Sequence, residues 1–235
     1  MAAGTDRFVT HAMATVLVDA DEWNARANAL GGTSNSLLVG LASRLAQRAG
    51  RVAADGSVVV IMPVEQRADG DTRANAIGNA TVTVDPELAT TDLRDIRAAV
   101  KQALTSNREA ADNEMAVNAI VPLLPLRLLK AARNATTVAP SNQVGSSNLR
   151  VVNPAVGRPD GTDANHFTLR VLHLGVTEAR MHQLGGIQSV LSGTANGKVF
   201  ISAIAYQPGR PNSNDSLRQD LSNALSDFSL TGTCQ

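Results

Sequence analysis

The stretch SVVVIMPVEQR, residues 57–67, is the part of the sequence that decides the fold. Its first eight residues, 57–64, form a continuous, Val-rich apolar run. Such a run predicts a central strand that is buried on both faces of a sheet. The polar sequence that follows, from Glu65 to Arg67, marks the point where this strand ends.

Strands and helices alternate around this run. Further strands are predicted at residues 8–18, 80–84, 149–152, 167–174, 187–192 and 199–206, with an Asn-Gly hairpin turn at 196–197. Helices are predicted at 22–30, from Thr33 or Ser34 through 49, from Asp92 to 104, across 114–132 with bends at two prolines, and at 216–228. The pattern predicts an α/β fold, a two-layer sandwich in which helices pack on a mixed sheet. No linker divides the chain, so we expect one subdomain over residues 1–235.

Composition narrows the class of function. The chain has 235 residues, of which 43% are hydrophobic and 18% charged, as in a globular protein with a substantial core. Aromatic residues make up only 3%, so Ala, Val, Leu and Ile must build that core. Basic and acidic residues balance at 21 each, without a basic cluster, which argues against a nucleic-acid partner. The sequence has neither a secretory-signal pattern nor an apolar run of the ~18–20 residues that a membrane span needs, and we expect a cytoplasmic protein.

Titratable and metal-binding residues give little support for catalysis or metal binding. Cys234 is the only cysteine, which excludes an intrachain disulfide and a cysteine-based metal site. The four histidines lack the close helical spacing of metal ligands. His166, His173 and His182 could nevertheless converge in space, and an enzyme that uses His173 or His182 in a cleft of its own is one alternative.

Four short polar motifs follow one another along the chain. They are Thr33-Ser34-Asn35, the strand end 62–67, Gly78-Asn79, and SNQVG at 141–145. Asn35 can cap or bridge backbone groups where a loop meets a helix. Arg67 is placed to pair with a carboxylate at the sheet edge, and Glu65, Asp69 and Asp71 are close in sequence.

The other two motifs predict turns and strand ends. Asn79 after Gly78 suits a tight turn that enters a strand. Ser141 and Asn142, after a proline, place short polar groups at a strand end. Taken singly, each motif has a structural explanation, and it is their order that points further.

That order resembles the C-terminal half of wax-ester synthase/diacylglycerol acyltransferases and, more loosely, of peptide-synthetase condensation domains and other CoA-dependent acyltransferases. The resemblance covers residues 8–228. Thr33 and Asn35 match a Thr-x-Asn-Asp helix start, and Arg67 matches the end of Val-Pro-Val-Ser-x-Arg. Asn79 matches Gly-Asn-Arg, and Gly145 matches Ser-Asn-Val-x-Gly-Pro. The chain departs from these patterns at four positions, which are Ser36, Glu65, Ala80 and Ser146.

The resemblance implies a chloramphenicol-acetyltransferase-like half and one wall of an acyl tunnel. It implies substrate contacts at the matched positions Asn35, Arg67, Asn79, Ser141, Asn142 and Gly145. It also implies acyl-CoA as the co-substrate of the complete enzyme, without a covalently bound cofactor. Relatives catalyse with a His-His-x-x-x-Asp-Gly motif in their N-terminal half, and this chain has no such motif. We therefore expect no catalytic residue here.

Besides the enzyme with a base at His173 or His182, two interpretations of the chain remain open at this stage. In the first, it is half of an acyltransferase and works with a complementary N-terminal half or as a homo-oligomer. In the second, it is a non-catalytic protein that keeps the fold and binds a lipid or a partner. Both are compatible with peripheral contact at a membrane or a lipid droplet.

Overall fold

The computed structural model describes residues 6–67, 69–74, 76–120, 124–129 and 142–234, with the backbone alone for 108–120. The strands of these residues are β1 (Ala12–Asp19), β2 (Val58–Glu65), β3 (Ile77–Val84), β4 (Gln143–Val151), β5 (Ile187–Ala195), β6 (Lys198–Tyr206) and β7 (Thr233–Cys234). The main helices are α1 (Ala20–Ala29), α2 (Ser34–Arg48), α3 (Arg94–Ile120), α4 (Glu178–Gln183) and α5 (Asn214–Asp227).

The strands form one mixed sheet in the order β3-β2-β4-β5-β6-β1-β7. Strand β4 runs parallel to both β2 and β5, and the other neighbours are antiparallel. Helices pack on this sheet, so the predicted α/β fold with a mixed sheet is confirmed. The order also places β1, near the start of the chain, against the hairpin of β5 and β6.

The main core lies between one face of the sheet and helices α1, α2, α3 and α5. Helix α2 is central, since ten of its fifteen residues are buried. As expected from the composition, most of the core is aliphatic; its aromatic members are Trp23 and Phe228. Trp23 is fully buried, and its indole Nε1 donates to Ser34 Oγ at 2.9 Å, which satisfies its one polar group.

Capping residues set the helix starts. Asp19 caps α1, because its carboxylate accepts from the backbone N–H groups of Asp21 and Glu22. Thr33, not Asn35, caps α2 and forms a capping box with Ser36. The serine that departs from the family pattern at position 36 thus has a structural role of its own.

Strand β2 differs from the prediction in its burial. Val58, Val60 and Met62 are buried towards the helices, whereas Pro63 and Glu65 are exposed and the remaining side chains half-buried. The prediction of burial on both faces is therefore wrong. The apolar run reflects one core face and a second face that the described residues only partly cover.

Strand β4 is longer than predicted and begins at Gln143, so the motif at 141–145 enters a strand instead of ending one. A register shift separates Asn148 from Val151, and Arg150 there has φ +58°. The hairpin between β5 and β6 is confirmed, since Asn196 and Gly197 both have positive φ, as an Asn-Gly turn of this type requires.

Two predicted helices differ from the structure. Helix α3 runs to Ile120, well past the predicted end at 104, and includes the start of the segment predicted at 114–132. A single helical turn follows at residues 126–129, and residues 130–132 lie outside the described residues. None of the helices in the described part of the chain has the length and apolar character needed to cross a bilayer.

The predicted strand at 167–174 is wrong. This segment forms no ladder with the sheet and crosses its second face, the one opposite the helices. We call residues 165–176 the strap. Its side-chain contacts recur every third residue: Phe167 meets Phe200, Arg170 meets Thr15, and His173 meets His11 directly before β1.

Candidate functional site

The second face of the sheet is uncovered by described residues on one side. We call this region the open face, formed by alternate residues of β3, β2 and the start of β4. Its members are exposed or half-buried: Ile77, Asn79, Thr81, Thr83, Val59, Ile61, Pro63, Glu65, Gln143 and Gly145. Ile77 is 59% exposed. This mixture of aliphatic, hydroxyl and amide groups is typical of a surface that contacts another one.

The strap covers the other side of the second face, over β5, β6 and β1. Phe167 packs edge-on against Phe200, with ring centroids 5.6 Å apart. Both belong to a small apolar cluster with Leu17 and Leu191. Phe200 is fully buried, so one end of the strap is held by aromatic packing.

A guanidinium and two hydroxyls meet under the middle of the strap. Arg170 Nε donates to Thr15 Oγ1 at 3.0 Å, and Thr15 Oγ1 lies 3.1 Å from Ser202 Oγ. Because arginine can only donate, the Thr15 hydroxyl is free to donate to Ser202. Arg170 forms no ion pair with a described carboxylate, so it adds a positive charge to this face.

A small cavity borders this cluster. It measures about 10 Å³ and is lined by Arg170, Val171, Ser189, Leu191 and Ser202, among others. That is room for roughly one water molecule. A larger ligand would need a second surface over the open face to enclose it.

Two histidines meet at the far end of the strap. The ring centroids of His11 and His173 are 5.5 Å apart, and those of His11 and Tyr206 are 6.1 Å apart. His11 is only 5% exposed, and its Nε2 has no partner among the described residues. Burial, and to a lesser degree the neighbouring His173, lowers the pKa of His11 below 6.5. The neutral imidazole of His11 can accept a proton. His11 and His173 are therefore the histidines of the second face to consider for proton transfer.

The pKa of His11 predicts a pH-dependent stability. In the window below 6.5 the unfolded chain binds more protons than the folded one, because the folded-state pKa is depressed. The free energy of unfolding is therefore highest above pH 6.5 and falls as the pH drops from there towards the folded-state pKa. The total loss is about 1.4 kcal/mol for each pH unit by which the folded-state pKa lies below 6.5.

Urea denaturation at several pH values would measure this dependence. His11→Gln should flatten the dependence, because it removes the imidazole whose pKa is lowered by burial. A profile that is identical in His11→Gln and the parent chain would show that another group titrates.

The predicted convergence of histidines is replaced by a different pair. His173 approaches His11, which sequence reasoning placed in a strand and which lies directly before β1. His166 and His182 are exposed. The described residues contain no group of three or more His, Cys, Asp or Glu side chains that could hold a metal ion.

The structure separates the residues predicted to contact substrate. Asn79 and Gly145 lie on the open face, and Arg67 lies two residues beyond the end of β2. Asn35 lies at the start of α2, in the helical layer on the other side of the sheet. Asn142 is buried directly before β4, where its carbonyl oxygen accepts from Val59 N at 3.1 Å, and Ser141 lies outside the described residues. Substrate contact at these positions stays a prediction.

Two of the local roles inferred from sequence are wrong. Arg67 pairs with no described carboxylate; its guanidinium donates to the carbonyl oxygens of Arg73 and Ala74, at 3.1 and 3.4 Å. Asp71 instead pairs with Arg73, which lowers the pKa of Asp71 to about 2. The sequence proximity of Asp71 to Arg67 was misleading because a closer arginine competes for that carboxylate.

Gly78 and Asn79 do not form a turn and lie inside β3. Asn107 of α3 donates to the Asn79 carbonyl at 3.0 Å, and a Cβ at Gly78 would come within 2.9 Å of the Asn107 amide. The pair therefore lets α3 approach the sheet. On the open face, Gly145 leaves room for the neighbouring Ser189 side chain, since a Cβ at Gly145 would lie 2.7 Å from Ser189 Oγ.

Sequence reasoning missed the cluster of Arg170, Thr15 and Ser202. Thr15 and Ser202 were available only as polar positions within two apolar strands, at 8–18 and 199–206. A buried hydroxyl in such a strand needs a hydrogen-bond partner, so these positions indicate that a polar side chain lies next to each strand. Nothing in the sequence identifies Arg170 as that neighbour.

Comparison with known proteins places this geometry in a known fold. No protein-family model matches the chain, and no curated protein matches it. Solved structures do match. TRI101 of F. sporotrichioides, in complex with Coenzyme A and T-2, aligns over 97% of this chain with a TM-score of 0.58 and 12% identity. PapA2 acyl transferase aligns over 94% with a TM-score of 0.54 and 14% identity.

A third match is the epimerization domain from the third module of tyrocidine synthetase B, over 97% of this chain, with a TM-score of 0.53 and 16% identity. The chain has the condensation-domain and CoA-dependent acyltransferase fold. At such identities the likeness shows the fold alone. The chain spans about half the length of these proteins, covering 52% of TRI101, 45% of PapA2 and 50% of the epimerization domain.

Proposed function

We propose that this chain is one half of an acyl-transferring protein, of the wax-ester synthase/diacylglycerol acyltransferase type, and forms one wall of its acyl and acceptor tunnel. One observation carries the proposal. Nearly the whole chain aligns with PapA2 acyl transferase and with TRI101, each about twice as long, and the second face of its sheet has a region that described residues leave open. A complementary half laid over the open face would enclose a tunnel.

The apolar outer surface of the strap supports a contact of this kind. Leu169, Leu172 and Leu174 are 42%, 62% and 82% exposed, while the intervening Arg170 and His173 face the sheet. Grouped aliphatic side chains in water favour burial against a partner or an acyl chain. The strap would then lie between the sheet of this chain and the partner half, or between the sheet and a bound lipid.

The matched residues suit positioning better than proton transfer. Asn79, Asn142 and Gly145 offer amide and backbone groups, and the guanidinium of Arg67 offers only hydrogen-bond donors. We infer that the catalytic imidazole belongs to the partner half and that acyl-CoA is the donor. TRI101 was solved with Coenzyme A, which supports that choice of donor. Arg170, whose guanidinium lies on the second face, would meet an anionic part of the donor.

Acyl transfer with and without a partner tests the proposal. The purified chain alone should transfer acyl groups from acyl-CoA to long-chain alcohol or diacylglycerol no faster than the uncatalysed background. Co-expression with a neighbouring reading frame that carries His-His-x-x-x-Asp-Gly should restore transfer. Since general-base catalysis contributes roughly 10²–10⁴-fold, replacing the second His of that partner by Ala should remove most of the gain.

Histidine variants of this chain complete the test. Robust turnover by the chain alone, lost in His173→Ala or His182→Ala, would overturn the two-half proposal and favour a base in this chain. The contact between His11 and His173 makes His173 the first candidate for such a base. Unchanged background in all variants would support the proposal.

The alternative function is a non-catalytic lipid- or partner-binding protein that retains the fold. The departures at Ser36 and Glu65 from the family pattern favour it, because Ser36 serves the α2 capping box and Glu65 is an exposed carboxylate of the open face. Mass measurement in solution with a fluorescent fatty acid would discriminate. A homodimer or a saturable lipid complex without activity in any pairing would support this alternative.

A further inference from the structure

A second cavity lies on the helical side of the sheet, away from the strap and the open face. It measures about 90 Å³ and is formed where the end of α2 and the start of α5 meet the start of β5 and the end of β6. This is several times the ~10–15 Å³ that one water molecule needs. Its wall includes Arg48, Arg51, Gln188, Arg210 and Asp220.

Arg51 brings an uncompensated charge to this wall. Its side chain is buried, with the residue only 5% exposed, and it forms no ion pair with a described carboxylate. Nη1 donates to Gly185 O at 2.8 Å and Nη2 to Gln143 O at 3.2 Å, while Nε has no partner among the described residues. Burial lowers the pKa of Arg51, yet arginine keeps its proton in proteins. A buried cation of this kind is stabilised by an anion.

Gln188 adds an unsatisfied amide next to this charge. The residue is 3% exposed, and neither its Nε2 nor its Oε1 has a hydrogen-bond partner among the described residues. Buried side-chain amides are nearly always hydrogen-bonded. The complementary ligand therefore accepts one hydrogen bond and donates another.

The start of α5 and the remaining charges complete the site. Ser213, the N-cap of this fourteen-residue helix, and Ser216 line the cavity, so the positive end of the helix dipole faces it. Arg210 is exposed beside the cavity. Arg48 forms an ion pair with Asp227 at 2.7 Å. Among the other residues that line the cavity, the two positive charges of Arg51 and Arg210 face one carboxylate, that of Asp220.

We propose that this cavity binds a phosphate group, as free phosphate or as a phosphomonoester monoanion. Arg51 Nε and both amide atoms of Gln188 are fully buried at the cavity wall, so the two side chains would turn towards the cavity as phosphate enters. The phosphoryl oxygens would then accept from Arg51 Nε, Gln188 Nε2 and the start of α5, and the P–OH group would donate to Gln188 Oε1. Carboxylate and sulfate lack that proton at neutral pH, so they satisfy the site less completely. The site does not depend on acyl transfer, and its failure would leave the two-half proposal untouched.

Titration of the purified chain with inorganic phosphate tests the site. Calorimetry should show saturable binding, and the melting temperature should rise with phosphate beyond a potassium chloride control of equal ionic strength. Sulfate and acetate should bind at least about tenfold more weakly. Methyl phosphate separates the two sources: binding as tight as phosphate assigns the site to phosphomonoesters, and exclusion assigns it to free phosphate.

Variants around the cavity decide between the site and general charge attraction. Gln188→Met keeps the side-chain shape and should abolish saturable phosphate binding. Arg210→Gln should weaken it about tenfold, and Asp220→Asn should strengthen it. Arg218→Gln, which removes an arginine paired with Asp215 on the same helix, should change nothing. Absence of saturable binding in the parent chain, or equal binding by Gln188→Met, would overturn the proposal.

Discussion

Phe200→Ala is expected to lower the free energy of unfolding by about 3–5 kcal/mol. The ring is fully buried in β6 on the second face, against Leu17, Leu191 and the strap residue Phe167. Alanine would leave a cavity that rigid strands cannot close, and the strap would lose its aromatic anchor. Urea denaturation followed by circular dichroism measures the loss.

Phe8→Ala is the matched control, because Phe8 is 74% exposed and its truncation should change stability by no more than about 0.5 kcal/mol. A double-mutant cycle of Phe167 with Phe200 should give a coupling of about 0.5–1.5 kcal/mol, the value of an edge-on aromatic pair. Faster proteolysis within the strap of Phe200→Ala would report its release. A loss no larger than that of Phe8→Ala would contradict the buried packing of Phe200 against Phe167.

The sheet and the helical layer follow from local signals in the sequence. Three- and four-residue spacing predicted α2, whose apolar side is the centre of the core. The Asn196-Gly197 turn fixed the β5–β6 hairpin, because both residues adopt positive φ at low cost. These signals are short-range, and each depends on neighbours that lie within about one turn or one hairpin.

The strap shows where local signals fail. It was predicted as a strand, yet Phe167 and Arg170 contact β6 and β1, and His173 contacts His11 directly before β1, at a period of three. A segment pairs as a strand only when it lies beside a sheet edge, and the strap instead crosses the second face of the sheet, over β1 and β6. Periodicity alone does not carry that information.

The candidate sites depend on contacts that are distant in sequence. Thr15 and Arg170 are 155 positions apart, and Arg51 and Gly185 are 134 apart. Both contacts are set by the strand order, in which β1 joins β6 and β4 lies between β2 and β5. The motifs gave the fold through their resemblance to known proteins, whereas the charges on each face emerged only from the topology.

Gly186→Ala is expected to destabilise the chain by about 1–2 kcal/mol for its left-handed backbone and by about 1–3 kcal/mol more for overpacking. Gly186 has φ +86°, and a Cβ there would lie 2.4 Å from Tyr206 O and 2.9 Å from Arg51 Nη1. The carbonyl belongs to the end of β6 and cannot move without disturbing the sheet. The shift would also displace Gly185, whose carbonyl holds Arg51.

Gly161→Ala isolates the contribution of the contacts. Gly161 has φ +87°, but a Cβ there would meet no atom within 4 Å, so alanine should cost only the backbone term. Chemical denaturation of both variants measures the difference, and phosphate titration of Gly186→Ala reports whether Arg51 has moved. Equal losses in the two variants would show that the turn before β5 yields to a methyl group, and the close approach of Gly186 to Tyr206 would then have no structural cost. A larger loss in Gly186→Ala, together with weaker phosphate binding, would tie the turn, the buried arginine and the cavity into one unit.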